Sequence, residues 1–248
     1  MPTNINLKTI KKIDKYINTL DNSPFFLLIF RFFSYPITLL FLRLNISANA
    51  TTYLNFLLCI AMMFFFIQST FLFYNIAIIS LLCIYVLDCV DGSISRIKKT
   101  STFYGRFLDS LFDIIDKSFL MFGLSIFCNI ALNNEILFYF GIISTCISPF
   151  GHFVLDKYSA LARWQNSNKK NKIKPYILKT KYKRIILFVK DSQFFSIFFS
   201  PFFLNTDHIE IFLYYFFISH TLLNIYTIVL HIRESSIRMN IFASDRTH

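Results

Sequence analysis

The chain has 248 residues, of which 55% are hydrophobic and only 16% are Asp, Glu, Lys or Arg, with 33 Phe among them. That balance excludes an ordinary soluble domain and points to a polytopic membrane protein. The net charge of +11 would suggest nucleic acid in a soluble protein. Here the cations sit between apolar runs, where membrane topology and anionic headgroups account for them and no nucleic-acid partner is expected.

Residues 1–23 are polar to amphipathic. Ile10, Ile13, Tyr16 and Ile17 recur at helical spacing with Lys8, Lys11, Lys12 and Lys15 between them. This suits a helix lying on an anionic leaflet, with an ordinary solvated helix as the alternative. No compact apolar region with a cleavage site precedes it, so no cleaved signal is expected. Residues 25–44 are long enough to span, but Arg31 lies inside them and Pro36 interrupts them. A crossing here would also put the lysine-rich N-terminus opposite the loop at 45–50. We therefore expect a juxtamembrane helix at the interface. In the following NISANATT, residues 45–52, Asn49 and Thr52 are candidates for nucleotide contact. The alternative is that Asn49, Thr51 or Thr52 caps the next helix.

Six spans are predicted at 51–69, 72–95, 104–127, 136–156, 185–204 and 210–232, each about the 20 residues a bilayer needs. The fold class is thus an all-α integral membrane protein with six transmembrane helices behind an N-terminal amphipathic and juxtamembrane segment. The expected division is 1–48 for that segment, 49–233 for the membrane domain and 234–248 for a tail. Loop 96–103 carries Arg96, Lys98 and Lys99, and loop 157–184 carries ten Lys or Arg from Lys157 to Arg184. The connections at 70–71, 128–135 and 205–209 carry none. This asymmetry places both termini and the loop at 96–103 in the cytoplasm; a bacterial-type inner or plasma membrane is expected. The basic run from Lys169 to Arg184 enforces topology, binds anionic lipid or attracts a phosphorylated substrate. Within the spans, His152 reads as a hydrogen-bonded packing residue. Lys190 and Asp191 either line a polar pocket or pair with each other near the interface. The five cysteines lie in or beside apolar segments without metal spacing and read as packing residues.

In a chain so short of charge, residues 88–113 hold four carboxylates, Asp88, Asp91, Asp109 and Asp113, with Asp116 following. On helices, Asp88 and Asp91 share one face, as do Asp109 and Asp113. Two such pairs on neighbouring antiparallel helices can converge. Carboxylates gathered at the edge of hydrocarbon repel one another, and one or two divalent cations offset that cost. Oxygen-only ligands favour magnesium, manganese or calcium over zinc. Gly92 permits close backbone approach of a ligand, and Arg96 offers a planar fork to phosphate. The set suggests a pyrophosphate site and metal-assisted displacement, with a positioned base to activate a hydroxyl.

The spacing of Asp88, Asp91, Gly92, Ser95, Arg96, Gly105, Asp109 and Asp113 resembles the signature of the CDP-alcohol phosphotransferase (phosphatidyltransferase) family, D-x2-D-G-x2-A-R-x8-G-x3-D-x3-D. Seven of the eight constrained positions are identical, and Ser95 stands where the family has alanine. The resemblance is specific over about residues 45–117. It implies transfer of a substituted phosphate from a CDP-linked donor, most commonly CDP-diacylglycerol, to an alcohol acceptor, with release of CMP in phospholipid biosynthesis. It implies that Asp88, Asp91 and Asp109 are metal ligands for two ions of magnesium or manganese. Asp113 would be the fourth carboxylate and the general base, and Gly92, Ser95, Arg96 and Gly105 would contact the CDP moiety. It also implies a homodimer among membrane lipids. The same motif serves a small CDP-alcohol donor with a lipid or polyol acceptor. An intramembrane prenyltransferase would use two aspartate-rich motifs far apart in sequence. A transporter would place charges near mid-membrane in several spans.

Overall fold

In a computed structural model, the chain is described over residues 24–168, 180–204, 206 and 208–244. The expected interfacial helix in 1–23 and most of the basic run from Lys169 lie outside the described residues. Those described form helices and no strands. In chain order they are α1 (Phe25–Arg43), α2 (Ala48–Ile67), α3 (Phe71–Lys98), α4 (Phe103–Ile130), α5 (Glu135–Asn168), α6 (Thr180–Phe199) and α7 (His208–Ser244), with a short 3-10 turn at Ser200–Phe203.

Each predicted span falls on one of the helices α2 to α7, and most of these helices run longer. The added turns belong to polar residues that continue the helix past the apolar stretch. The chain reverses between helices through left-handed residues at Asn45, Ser69, Lys99 and Asn133, all of them non-glycine. This satisfies helix-end carbonyls, as where the Lys99 N–H donates to the Arg96 oxygen and Thr100 N–H to the Ser95 oxygen. The next helices open on hydroxyl caps. Ser47 accepts from Ala50 N, Thr70 from Phe73 N and Thr102 from Gly105 N. The cap of α2 is therefore Ser47, not Asn49, Thr51 or Thr52.

Among the described residues, six helices are long and apolar enough to cross a membrane, the expected number, but they are not the same six. Phe25–Arg43 qualifies, and Phe103–Ile130 does not. The reason is the charge of the first half of α4, which carries Arg106, Asp109, Asp113, Asp116 and Lys117. The second half of α4 is nonetheless deep in the bundle. Leu120, Met121, Leu124, Phe127 and Cys128 join Met62, Phe66, Tyr74, Leu81, Leu213 and Phe217 in the main core. Close helix approaches fix α4 in place: a Cβ on Gly123 would lie 3.0 Å from that of Phe66, and one on Gly141 would meet Ser125. Helix α1 packs differently. Its Phe26, Leu27, Phe30 and Ile37 meet Tyr85, Val86 and Cys89 of α3 and Phe194 and Phe198 of α6, near the level of the aspartates.

Candidate active site

Helices α3 and α4 are antiparallel neighbours in sequence, joined by a tight turn at residues 99–102. That turn brings the last turns of α3 beside the first turns of α4. One carboxylate oxygen from each of Asp88, Asp91 and Asp109 lies within 4.8 Å of the others. Hard cations bind oxygens at about 2.0–2.6 Å, so ligands of one ion lie within about 4–5 Å of each other. The trio fits such an ion in chemistry and in spacing. Asp113 is not within this trio. Its Oδ2 lies 3.9 Å from Lys117 Nζ, and it lines the same cavity as the three.

Two hollows meet at the cluster. The outer one, of about 90 Å³, is lined by Asn49, Gly92, Ser95, Gly105 and Arg106. The inner one, of about 280 Å³, is lined by Asn55, Asp88, Asp113, Asp116, Lys117 and Lys190 together with Tyr85, Phe56, Phe112 and Phe194. Thr52, Asp91 and Asp109 line both. A bound cation would therefore sit on the partition between two ligand spaces.

Of the predicted phosphate-side residues, Gly92, Ser95 and Gly105 line the outer hollow and Arg96 does not. Helix α3 runs on to Lys98, so Arg96 is helical and one turn from Gly92 rather than in a loop. A Cβ on Gly92 would lie 3.1 Å from Arg96 Nη1, so the guanidinium folds over the glycine. Its Nη2 donates to Ser93 Oγ at 3.2 Å. Ser95 and Gly105 face the hollow directly. A Cβ on Gly105 would come within 3.2 Å of Asn49 Oδ1 and of Thr102 Oγ1, so both side chains would have to give by a few tenths of an ångström.

Several residues were invisible as a set in the sequence. Thr52 Oγ1 donates to Asp91 Oδ2 at 2.8 Å, so α2 supports the cluster from outside the aspartate motif. Thr52, Asn55 and Cys59 recur at three and four, which is the only signal that could have marked this face. Lys190 lines the inner cavity. Asp191 instead accepts from Phe26 N at 3.1 Å and caps α1, so the two do not pair with each other. His152 lines neither hollow. Asp156, at the expected end of the fourth span, accepts from Ser110 Oγ.

The family profile of the CDP-alcohol phosphatidyltransferases matches residues 45–205, about two thirds of the chain. This chain belongs to the CDP-alcohol phosphatidyltransferase family. It is accordingly a phosphotransferase and an integral membrane protein. Its fold is similar to that of Mycobacterium tuberculosis phosphatidylinositol phosphate synthase PgsA1. With the CDP-DAG-bound form the TM-score is 0.51 at 15% identity, covering 81% of this chain and 90% of that one. With the form in complex with manganese and citrate it is 0.52 at 16% identity, covering 81% and 86%. The apo form gives 0.52 at 17% identity, covering 80% and 93%. No match was found among curated proteins.

Proposed function

We propose that this family member transfers a substituted phosphate from CDP-diacylglycerol to an alcohol, releasing CMP, in phospholipid synthesis. The observation that carries this reading is the partition: a three-carboxylate cluster in which Asp91 and Asp109 line both hollows and Asp88 the inner one, with Gly92, Ser95 and Gly105 around the outer one. The outer hollow then takes the CDP moiety and the inner one the acceptor. The CDP-DAG-bound form of the similar synthase supports the donor, and its manganese-bound form supports the metal.

Asp88, Asp91 and Asp109 would hold magnesium or manganese, with Asp113 available to a second ion. Such ions, when bound, neutralise a pyrophosphate and stabilise its leaving group. Gly92 and Gly105 let the diphosphate approach the backbone, and Arg96 and Ser95 add donors at its edge. Asp113 faces the inner cavity and acts as general base, taking the acceptor hydroxyl proton. The hydroxyl oxygen forms its bond to the phosphorus that bears the lipid. The bond from that phosphorus to the bridging oxygen breaks, and CMP leaves.

The membrane arrangement we propose has α4 crossing with α2, α3, α5, α6 and α7, and α1 lying at the interface. Deep burial of Leu120, Met121, Leu124, Phe127 and Cys128 supports the first, and the confinement of the α1 aromatic contacts to residues near 85–89 and 194–198 supports the second. The aspartates and both termini face the cytoplasm by the positive-inside distribution. Residues 1–48, 49–233 and 234–248 then divide into interfacial segment, membrane domain and tail, and the membrane domain forms a homodimer.

The test is CMP release by detergent-purified protein with manganese or magnesium, CDP-diacylglycerol and a panel of alcohols, with Asp113→Asn as control. Release with an acceptor that disappears in Asp113→Asn, while CDP binding persists, is the expected result. Near-normal turnover in the variant overturns the base assignment. Absence of CDP binding overturns the whole reading. A small CDP-alcohol donor is the second reading, and substituting it for CDP-diacylglycerol in the same assay separates the two.

A further inference from the structure

The inner cavity extends beyond the signature residues. On α2, the cavity-lining residues Thr52, Asn55 and Cys59 descend turn by turn, and on α4 Asp109, Asp113 and Asp116 do the same. Thr52 meets Asp91 at the upper level, and the Cys59 thiol faces Asp116 at the lower one. Asp116 thus lies about 4.5 Å farther along α4 than Asp113, at 1.5 Å per residue.

Among the described residues, two acceptor atoms along this cavity are without donors, Asn55 Oδ1 on the middle turn and Asp116 Oδ1 at the lower end. Asp116 is 8% exposed, lines the cavity, and its Oδ1 has no hydrogen-bond partner. Asn55 Oδ1 is buried, lines the same cavity and is equally without a partner. Lys117 and Lys190 also line it, yet neither supplies a donor to these oxygens. Buried acceptors are rarely left unsatisfied, because each costs its full desolvation. A carboxylate kept this way in a cavity is placed for a ligand that brings the missing donors.

We infer that Asp116 and Asn55 line the specificity-determining part of the acceptor subsite, Asn55 on its wall and Asp116 at its floor, and that the acceptor carries a second hydrogen-bond donor besides its reacting hydroxyl. That donor is a further hydroxyl or an ammonium group. The inference rests on the phosphotransferase reading above. With the reacting hydroxyl at Asp113, a substituent on the next carbon or the one after reaches Asp116. An alcohol with one hydroxyl and no other donor leaves the floor unsatisfied and is rejected. Asp116 acts here by recognition. It neither takes the proton nor holds the metal.

The experiment measures CMP release from CDP-diacylglycerol with manganese by wild type, Asp116→Leu and Asp116→Asn. The acceptors are glycerol, glycerol 3-phosphate and myo-inositol as hydroxyl donors, ethanolamine and serine as ammonium donors, and 1-propanol with neither. Manganese and CDP binding and the melting temperature without ligands are measured on the same proteins. We expect 1-propanol to be the poorest acceptor. Asp116→Leu should raise the KM of the best acceptor about tenfold or more, with a smaller change in kcat and with metal and CDP binding unchanged. Its melting temperature should hold or rise, because a buried carboxylate with one oxygen lacking a donor has been removed. The hydroxyl and ammonium arms identify the donor. Equal use of 1-propanol, an unchanged acceptor KM in both variants, or weakened manganese binding in either overturns the inference. A fall in melting temperature in both variants also overturns it, since that marks a structural carboxylate. Those failures leave CMP release by wild type intact. Loss of CDP binding or of all release in wild type is the separate failure of the phosphotransferase reading, and the inference falls with it.

Discussion

Thr52 Oγ1 donates to Asp91 Oδ2 at 2.8 Å, so the most buried carboxylate of the cluster is oriented by a helix that carries none of the aspartates. Asp91 is only 7% exposed and Thr52 8%. The Thr52 hydroxyl, which also lies 3.1 Å from Ala48 O, orients the carboxylate toward the cluster. Supports of this kind are worth about 10–100-fold in metal affinity. Thr52→Val keeps the shape and removes the donor. Manganese titration of the purified variant should show weakening in that range, and Thr52→Ser should restore most of it. Unchanged manganese affinity in Thr52→Val would show that Asp91 needs no such support.

The two glycines on the outer hollow should fail for different reasons. A methyl at position 92 lies 3.1 Å from Arg96 Nη1, the far end of a flexible side chain. Gly92→Ala therefore swings the guanidinium away from where it now rests and leaves the fold intact. A methyl at position 105 presses at 3.2 Å on both Asn49 Oδ1 and the capping Thr102 Oγ1, which disturbs the start of α4 as well as the hollow. Crowding of this sort costs about 1–3 kcal/mol. We expect Gly92→Ala to weaken CDP binding with an unchanged melting temperature, and Gly105→Ala to lower both. Equal melting behaviour in the two variants would sink the distinction.

Much of this site was legible because it is encoded locally. The aspartate and glycine spacing of residues 88–113 becomes geometry as soon as two antiparallel helices form, and the apolar runs place those helices. What the sequence left open depends on contacts between distant helices. Asn55 has no signature and acquires meaning only when α2 packs on α4. Lys190 and Asp191 are adjacent, yet one turns to the cavity and the other to the N-terminus of α1. The reverse turns were hard to place because Asn45, Ser69, Lys99 and Asn133 take left-handed conformations without glycine. Arg96 was expected in a loop because its charge ends the apolar run, although helix hydrogen bonding continues through Lys98. The exchange of α1 for α4 among the apolar helices has the same origin. Charge that serves the site makes α4 look less like a span than its packing makes it.

Asp191 predicts the behaviour of α1. Its Oδ1 accepts from Phe26 N at 3.1 Å, which satisfies one of the free N–H groups at that helix start. No side-chain cap comes from Pro24, the residue before the helix. Asp191→Ala should cost about 1 kcal/mol and loosen α1 from α6, and Asp191→Asn should keep most of the cap. Limited proteolysis near residue 24 reads the change. Faster cleavage in Asp191→Ala than in Asp191→Asn is expected, and identical rates would show that the Phe26, Phe30, Phe194 and Phe198 ring contacts hold the helix without it.

The last prediction concerns the helix that carries Asp109 and Asp113. At Gly141, α5 lies directly on α4: a methyl there would meet the Ser125 side chain, approach Ser125 Cα at 3.0 Å and Phe217 Cζ at 3.1 Å. Ser125 is fully buried, so nothing nearby can move into solvent to make room. Gly141→Ala should therefore cost about 1–3 kcal/mol by overpacking and lower the melting temperature in detergent. Ser125→Gly removes the side chain that the methyl strikes. The double variant Gly141→Ala with Ser125→Gly should recover stability relative to Gly141→Ala, less the helix-propensity cost of a glycine, about 0.5–1 kcal/mol. Additive losses in the double variant would show that the two sites do not touch, and that α5 does not set the position of α4 through this contact.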